Sequence, residues 1–231
     1  MTPTESPAPQ SRRERPAKPA LTRERIIEVG LTILEAEGLG KVTMRRIAAA
    51  LDTGPASLYV YVRDTEELHT QILDALLGRM APISGRGPWR KRLRDLLTRY
   101  SEVLAVHPAI ARMTLTTQPV GPHYFSLVES ILGLLHEAGV PDPAAAWAIQ
   151  LLLSTLTANV IEHAAEGENV EGLAVIAEAI AAASGKSYPR IVHLGEEMLS
   201  GTGIERFNWG LDVLINGILS TPRGRSTSKH R

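Results

Sequence analysis

The 231-residue chain contains no cysteine, which excludes disulfide bonds and zinc sites built from thiolates. It shows no apolar run long enough to span a membrane, and its N-terminus lacks the hydrophobic region of a signal peptide. These absences predict a cytoplasmic protein without a membrane partner. The apolar fraction of 44% and the charged fraction of 22% are typical of a globular protein with a sizeable core.

Local signatures of catalysis are also missing. The sequence has no nucleophile elbow, no P-loop and no glycine motif for dinucleotide binding. Its seven histidines show no paired spacing such as His-x-x-x-His, which is typical of metal ligands. We therefore expect a protein that is not an enzyme and that needs neither a cofactor nor a metal ion.

The chain has no excess of positive charge, because 25 Lys and Arg residues balance 25 Asp and Glu residues. The charge is nevertheless unevenly distributed: Asp52 is the only acidic residue between Lys41 and Arg63, whereas residues 162–178 hold five glutamates and no Lys or Arg. A basic N-terminal third predicts a nucleic-acid-binding face; the alternative is ordinary solvated charge on helix surfaces. The basic residues of this third are Arg12, Arg13, Arg15, Lys18, Arg23, Arg25, Lys41, Arg45, Arg46 and Arg63.

Helical periodicity organises most of the chain, and no alternating strand pattern is present. Residues 1–20 lack this periodicity and predict a disordered basic arm, and residues 221–231 predict a disordered basic tail. A break at 82–88 separates a first domain over 21–80 from a second over 81–220. The second domain is predicted to contain helices over 89–106, 108–116, 121–138, 142–165, 170–183 and 203–219, with breaks that include Gly167 and 184–189.

Residues 22–77 have the layout of a helix-turn-helix unit. Thr22 and Thr43 are suited to cap the first two helices, and Pro55 is suited to the first position of a third helix over 55–63. A tight turn over 52–54 separates the second and third helices, and Asp64 starts a capping box that opens a fourth helix. In such a unit the third helix can enter the major groove of DNA.

At these residues the sequence resembles the TetR family of transcriptional regulators. The matching motifs are Thr-Met-Arg-Arg-Ile-Ala at 43–48, Leu-Tyr-Val-Tyr-Val-Arg at 58–63 and Asp-Thr-Glu-Glu-Leu at 64–68. Shorter motifs at 117–119, 160–162 and 207–217 resemble the regulatory domain of the tetracycline-repressor branch.

The resemblance implies an all-α fold with an N-terminal three-helix helix-turn-helix DNA-binding domain plus a C-terminal helical ligand-binding and dimerisation domain. It also implies a homodimeric repressor that binds a palindromic operator in double-stranded DNA. A small-molecule effector of unknown identity would release that repressor from DNA.

The third helix and its flanks supply the expected DNA contacts. Tyr59 is the leading candidate, because its ring suits a thymine methyl and its hydroxyl suits a phosphate oxygen; the alternative is half-buried packing. Arg45 can read a guanine edge or only neutralise a phosphate. The arm over 1–20 either lies in a minor groove or only aids solubility. The full DNA-binding set is Thr43, Arg45, Arg46, Pro55, Ala56, Ser57, Tyr59, Tyr61, Arg63 and Thr65.

An effector pocket is expected between helices of the second domain. Tetracycline-binding members of the family carry a metal-binding histidine and an arginine in the segment that corresponds to 114–119, and both are missing here. Magnesium-tetracycline is therefore not the expected ligand, although Glu162 matches a family glutamate. For each pocket candidate, the alternative role is packing in the core. The pocket candidates are His107, Met113, Leu115, Gln118, Trp147, Leu151, Thr155, Asn159 and Glu162.

The last helix carries an apolar stripe that starts at Phe207 and continues at helical spacing. Such a stripe packs on its own subunit or forms half of an intersubunit four-helix bundle, and the family resemblance implies both. The dimer-interface candidates are Phe207, Trp209, Leu211, Val213, Leu214 and Ile218.

Three hypotheses for function follow. The first is the ligand-responsive, dimeric repressor. The second keeps the DNA-binding domain but makes the second domain a dimerisation module without a sensor. The third is a helical carrier of small molecules whose helix-turn-helix no longer binds DNA; salt-dependent binding to duplex DNA would eliminate it.

Overall fold

A computed structural model describes residues 20–81, 85–117, 119–168, 170–221 and 223, and within them it contains eleven α-helices, one short 3₁₀-helix at Leu39–Lys41 and no strand. The expected all-α fold is confirmed. The arm over 1–19, most of the tail and Gln118 lie outside the described residues. The helices are α1 (Arg23–Glu37), α2 (Met44–Ala50), α3 (Pro55–Leu58), α4 (Thr65–Gly78), α5 (Trp89–Val106), α6 (Pro108–Thr114), α7 (Pro122–Glu137), α8 (Asp142–Glu168), α9 (Val170–Ala181), α10 (Pro189–Leu199) and α11 (Gly203–Ser220).

The caps predicted for the first helices are present. The Thr22 hydroxyl accepts a hydrogen bond from the backbone N–H of Arg25, and the Thr43 hydroxyl accepts one from Arg46. Asp64 caps α4 by accepting from the N–H of Glu67 at 2.7 Å. Each cap satisfies an amide that the helix itself leaves unpaired, which fixes where the helix begins.

Helices α1 to α4 form a head around a small apolar core. Fully buried side chains from all four helices meet there: Ile26, Ile47, Leu58, Leu68 and Ile72. A Cβ added at Gly30 of α1 would lie 2.7 Å from Ile72 Cδ1 of α4. The absence of a side chain at this position therefore lets α1 and α4 approach closely.

The remaining helices form the body, in which α8 packs against α5, α6, α7 and α11. Helix α4 is shared between the two parts, because it packs on α1 in the head and on α7 in the body. Any rotation of the head relative to the body must therefore act on the contacts of α4.

Three helix predictions need correction. Helix α3 ends at Leu58 and continues as a turn through Tyr61, so the predicted helix over 55–63 is too long. Helix α8 passes through Gly167, because a single glycine costs a helix only about 1 kcal/mol. Helix α10 was not predicted: Pro189, read as part of a break, occupies its first turn, where proline is tolerated.

The expectation that no run is apolar enough to span a membrane is also wrong. Within α8, the segment Asp142–Ala164 contains an 18-residue stretch with a mean hydropathy of 1.5, and 44% of that stretch is buried inside the protein. Its apolar composition reflects a core helix of the body that also carries an exposed apolar face. The side chains on that face, Trp147 and Leu151, lie beside α11.

A buried hydrogen bond joins α5 to α8 in the body core. The Tyr100 hydroxyl lies 3.1 Å from Oγ1 of Thr157, and both side chains are almost inaccessible to solvent. Burial raises the pKa of the Tyr100 phenol, so the group stays neutral at physiological pH.

Replacing Thr157 with valine should lower the free energy of unfolding by about 1–2 kcal/mol, because the isosteric valine cannot bond the Tyr100 hydroxyl. Urea unfolding at a fixed protein concentration measures this change. The matched control is Thr32→Val on the exposed side of α1, whose hydroxyl bonds only the preceding helical turn; it should change stability by less than about 0.5 kcal/mol. Equal unfolding midpoints for the two variants would contradict the stabilising role of the buried bond.

Candidate DNA interface and effector cavity

The helix-turn-helix is held by a compact turn between α2 and α3. Asp52 adopts a left-handed backbone with φ of 50°, and the Thr53 amide donates to the carbonyl of Ala48 at 2.9 Å. A ring nitrogen of His69 on α4 lies 2.8 Å from the carbonyl oxygen of Val42, just before α2. These contacts fix the orientation of α2 and α3 with respect to α4.

Alternate sides of the α3 segment face the core and the solvent. Leu58 and Val62 are buried, whereas 54% of Tyr59 and 80% of Val60 are exposed at the tip of the head. Tyr61, which lies between Val60 and Val62 in the sequence, is half-buried. An exposed aromatic ring beside an exposed valine suits contact with base edges in a groove.

Most of the other predicted DNA-binding residues are exposed to solvent as well. Thr43, Arg45, Pro55, Ala56 and Ser57 are exposed, and Thr65 in the first turn of α4 is half-buried. Sequence reasoning passed over Val60, which is the more exposed of the two large hydrophobic residues at the tip. The sequence did carry a signal for its exposure, because Val60 lies between two tyrosines and is out of register with the buried Leu58 and Val62.

The three arginines of the predicted set differ in their partners. Arg46 is paired with Glu37 at 2.6 Å and Arg63 with Glu67 at 3.0 Å. The hydrogen bond from Arg46 lowers the pKa of Glu37 and keeps that carboxylate ionised. In the described part of the chain, Arg45 has no ion-pair partner, so its guanidinium is the one best prepared to meet a phosphate or a guanine.

Among the described residues, the predicted effector-binding side chains do not all line any one of the cavities found. Trp147, Leu151, Thr155 and Glu162 lie exposed along α8, and Leu115 is exposed after α6. Met113 of α6 and Asn159 of α8 are half-buried, and Gln118 lies outside the described residues. His107 lies at the α5–α6 junction against Leu34 and Glu35 of the head, where burial lowers the pKa of its imidazole.

A cavity of about 640 Å³ opens instead between the end of α4, α5 and α7. Apolar side chains form one part of its wall, and the ion pair between Arg92 and Glu137 borders another. Its volume lies within the range of about 300–1,000 Å³ that small-molecule sites occupy. Residues around it that the sequence did not single out are Leu77, Met80, Arg92, Leu96, His123, Ser126, Leu127, Ser130, Leu134 and Glu137.

A second cleft of about 780 Å³ lies farther toward the N-terminus of α4, between the head and the residues around the start of α7. Charged side chains such as Arg23, Arg63 and Glu67 line it. Both spaces border His123 in the first turn of α7. Among the described residues, no group of three His, Asp or Glu side chains is placed to hold a metal ion.

The predicted dimer residues divide into two groups on α11. Trp209 is 72% exposed and Val213 is 49% exposed, whereas Leu211 and Ile218 pack inside their own subunit. Phe207 and Leu214 are half-buried against that core. The structure therefore assigns Leu211 and Ile218 to the subunit core, because they lie on the face of α11 that meets α8.

An exposed apolar surface runs across α8 and α11. It comprises Trp147 and Leu151 of α8 with Trp209 and Val213 of α11, and we call it the α8–α11 face. Ion pairs of Asp212 with Arg90 and Arg94 of α5 hold α11 in place beside it. Exposed apolar surfaces of this kind mark protein–protein contacts more often than chance.

Two protein-family models match this chain. The model for bacterial regulatory proteins of the tetR family matches residues 26–72, and the model for the tetracyclin repressor-like C-terminal domain matches residues 81–221. The HTH-type transcriptional repressor DrrR1 of Streptomyces coeruleorubidus is 30% identical over 224 residues, which cover 90% of this chain and 80% of the relative. The tetracycline repressor protein class E of Escherichia coli is 28% identical over 202 residues, covering 85% of this chain and 90% of that protein.

Solved structures from Streptomyces coelicolor have the same fold. The transcription regulator SCO7704 is 42% identical, with a TM-score of 0.76 and coverage of 91% of this chain and all of that chain. ActR in complex with actinorhodin is 30% identical, with a TM-score of 0.78 and coverage of 87% of this chain and 96% of that chain. Because the C-terminal family model alone spans more than half of the sequence, this chain belongs to the TetR family of transcriptional regulators.

Proposed function

We propose that this TetR-family chain acts as a homodimeric repressor that binds a near-palindromic operator and is released when a small-molecule effector enters the body. The proposal rests on the position of α4, which contacts both the DNA-binding head and the cavity. This helix is bonded to the segment before α2 in the head through His69 and Val42, and its last turn lines the 640 Å³ cavity. A ligand in that cavity therefore touches the same helix that orients the head.

DNA contact is assigned to the exposed tip of the head. Tyr59 and Val60 face the groove, Arg45 meets a phosphate or a guanine, and Thr43 presents its hydroxyl at the start of α2. Helix N-termini favour phosphate, since their free amides and dipole attract negative charge. Pro55, Ala56, Ser57, Tyr61, Arg63 and Thr65 complete the contact surface, with Arg46 adding charge at its edge.

The α8–α11 face is the proposed contact with a second copy. Two helices from each subunit would form a four-helix bundle that removes Trp147, Leu151, Trp209 and Val213 from water. Trp147 and Leu151 were predicted as effector ligands, and their exposure beside α11 supports the dimer role instead. A two-fold dimer would present two equivalent heads, which matches half-sites about 34–36 Å apart, one turn of DNA.

Effector and operator would then compete through α4. Coupling between two sites is typically about 1–3 kcal/mol and is reciprocal, so DNA weakens the effector as the effector weakens DNA. The relative ActR has been solved with actinorhodin and with (S)-DNPA, which supports a small-molecule role for the corresponding domain here. The cavity beside α4 favours this reading over a body that serves only for dimerisation.

Selection of genomic fragments tests the DNA-binding half of the proposal. Protein is incubated with fragmented genomic DNA at moderate salt, and the bound fragments are sequenced. The proposal predicts one recurring near-palindromic motif with half-sites about one helical turn apart. Diffuse binding without a motif, or no binding, would contradict it and would favour the helical-carrier hypothesis.

Filling the cavity should abolish the effector response without loss of operator binding. Ser130 is an exposed residue of α7 on the cavity wall, so Ser130→Trp places an indole in the cavity without disturbing the core. A compound at about 100 times its Kd stabilises a protein by about 2.7 kcal/mol. Compounds from a small-molecule library that raise the Tm of the wild-type protein should no longer do so for this variant.

The matched control for that experiment is Ser187→Trp, which adds the same indole to an exposed turn between α9 and α10. It should retain the full ligand-induced shift in Tm. An undiminished shift in Ser130→Trp would place the effector elsewhere in the body.

A further inference from the structure

Helix α4 contacts the first turn of α7 and the segment before it at three points along its length. Near its N-terminus, Glu66 accepts a hydrogen bond from the Thr117 hydroxyl at 3.2 Å. In its middle, Asp74 Oδ1 accepts from the backbone N–H of Tyr124 at 2.8 Å. At its last residue, a Cβ on Gly78 would lie 2.7 Å from Nε2 of His123, so the imidazole packs on bare backbone.

The middle contact is the most specific of the three. Asp74 is 9% exposed, and its carboxylate takes the place of a side-chain cap for α7. The residue at the N-cap position of α7 is Gly121, which has no side chain to supply that cap. A carboxylate at this position is favourable both for the hydrogen bond and for the helix dipole.

Gly121 is required by the same contact. A Cβ built on it would lie 2.3 Å from both Cγ and Oδ1 of Asp74, far inside van der Waals contact. Its φ of 171° is extended backbone that any residue can adopt, so only the nearness of Asp74 excludes a side chain. The bare backbone of Gly121 therefore makes room for the Asp74 carboxylate that caps α7. We call this contact the Asp74 latch (Asp74 with Gly121 and Tyr124).

We propose that the Asp74 latch is the contact through which the effector cavity and the DNA-binding head act on each other. The inference rests on the proposed function. Helix α7 carries Leu127, Ser130 and Leu134 on the cavity wall, so an occupant of the cavity contacts α7 directly. The latch ties the start of α7 to α4, and about one and a half turns earlier on α4 Leu68 and His69 contact the rest of the head.

Asp74 is thus a positioning residue that touches neither DNA nor effector. A merely structural cap would stabilise α7 equally in free and operator-bound protein. A coupling contact makes the stability of the first turn of α7 depend on whether operator is bound, because linkage between two sites is reciprocal. The distinction is measurable without an effector.

Hydrogen exchange of the peptide over 121–128 is measured with and without the palindromic fragment recovered from genomic DNA. In wild-type protein, operator binding should slow exchange of this peptide about fivefold or more, the lower range of typical couplings. In Asp74→Ala this operator-dependent change should disappear, although the operator is still bound. Asp74→Asn retains an acceptor for the Tyr124 amide and should retain most of the change.

Two controls keep the test independent of folding. Asp142→Ala removes a carboxylate from the first turn of α8, away from α4, and should leave the change intact. Gly121→Ala should lower the Tm, and combining it with Asp74→Ala should recover part of that loss, because the clashing carboxylate is gone.

The proposal is overturned if Asp74→Ala keeps the operator-dependent change, or if wild-type protein binds its operator without any change in this peptide. Failure to recover any operator fragment would instead refute the proposed function. The two failures are therefore distinguishable.

Discussion

Tyr59→Ala should weaken operator binding by a factor of at least about 30 and as much as 10⁴. One specific contact to DNA is typically worth about 1–3 kcal/mol, and a homodimer loses it at both half-sites, which gives about 2–6 kcal/mol. More than half of the Tyr59 side chain is exposed at the tip of the head. Its removal should therefore leave the fold intact, and fluorescence anisotropy with labelled operator measures the loss.

Phe125→Ala provides the matched control, because Phe125 is an aromatic residue of α7 that is 60% exposed on the body. Its operator affinity should stay close to that of the wild type, and both variants should unfold at nearly the wild-type temperature. Wild-type affinity in Tyr59→Ala would mean that the ring only packs against the head, the alternative that the sequence left open.

Val213→Arg should convert the dimer to monomers and weaken operator binding more than about 100-fold. The substitution places a charge in the middle of the α8–α11 face, where a second copy would have to desolvate it without a partner. Each monomer retains a folded head but engages only one half-site, so the linked second binding event is lost. Sedimentation velocity reports the oligomeric state, and anisotropy reports the affinity.

Val106→Arg is the control for that result. Val106 is 72% exposed at the end of α5, more than Val213, but it lies outside the α8–α11 face. It should remain a dimer at the concentrations where Val213→Arg is a monomer. A dimer in both variants would place the subunit contact elsewhere, with the exposed apolar residues of α9 and α10 as the next surface to alter.

Local signals made the head predictable. Thr22, Thr43 and Asp64 cap helices through contacts within three residues, so their chemistry can be read directly from the sequence. The spacing of Leu58 and Val62 likewise separates buried positions from the exposed Tyr59. Such features depend on a few neighbouring residues and on helical geometry alone.

The cavity could not be predicted in the same way, because its wall is assembled from three helices that are distant in sequence. Leu96 and Ser130 become neighbours only through the packing of α5 and α7. For a related reason the sequence alone did not separate two roles for Trp147 and Leu151, because an apolar stripe on α8 fits an internal cavity as well as an external face. Periodicity identifies a face of a helix, but only the fold determines what lies opposite.

The coupling through α4 is tested most directly by titrating one effector into free protein and into protein saturated with operator. The effector is a compound taken from the thermal-shift screen, and its affinity is measured by isothermal titration calorimetry. The account predicts that operator weakens effector binding by about 5- to 150-fold, the range expected for coupled sites. Equal affinity in the two titrations would contradict it, because a ligand that does not distinguish the two states cannot shift their populations.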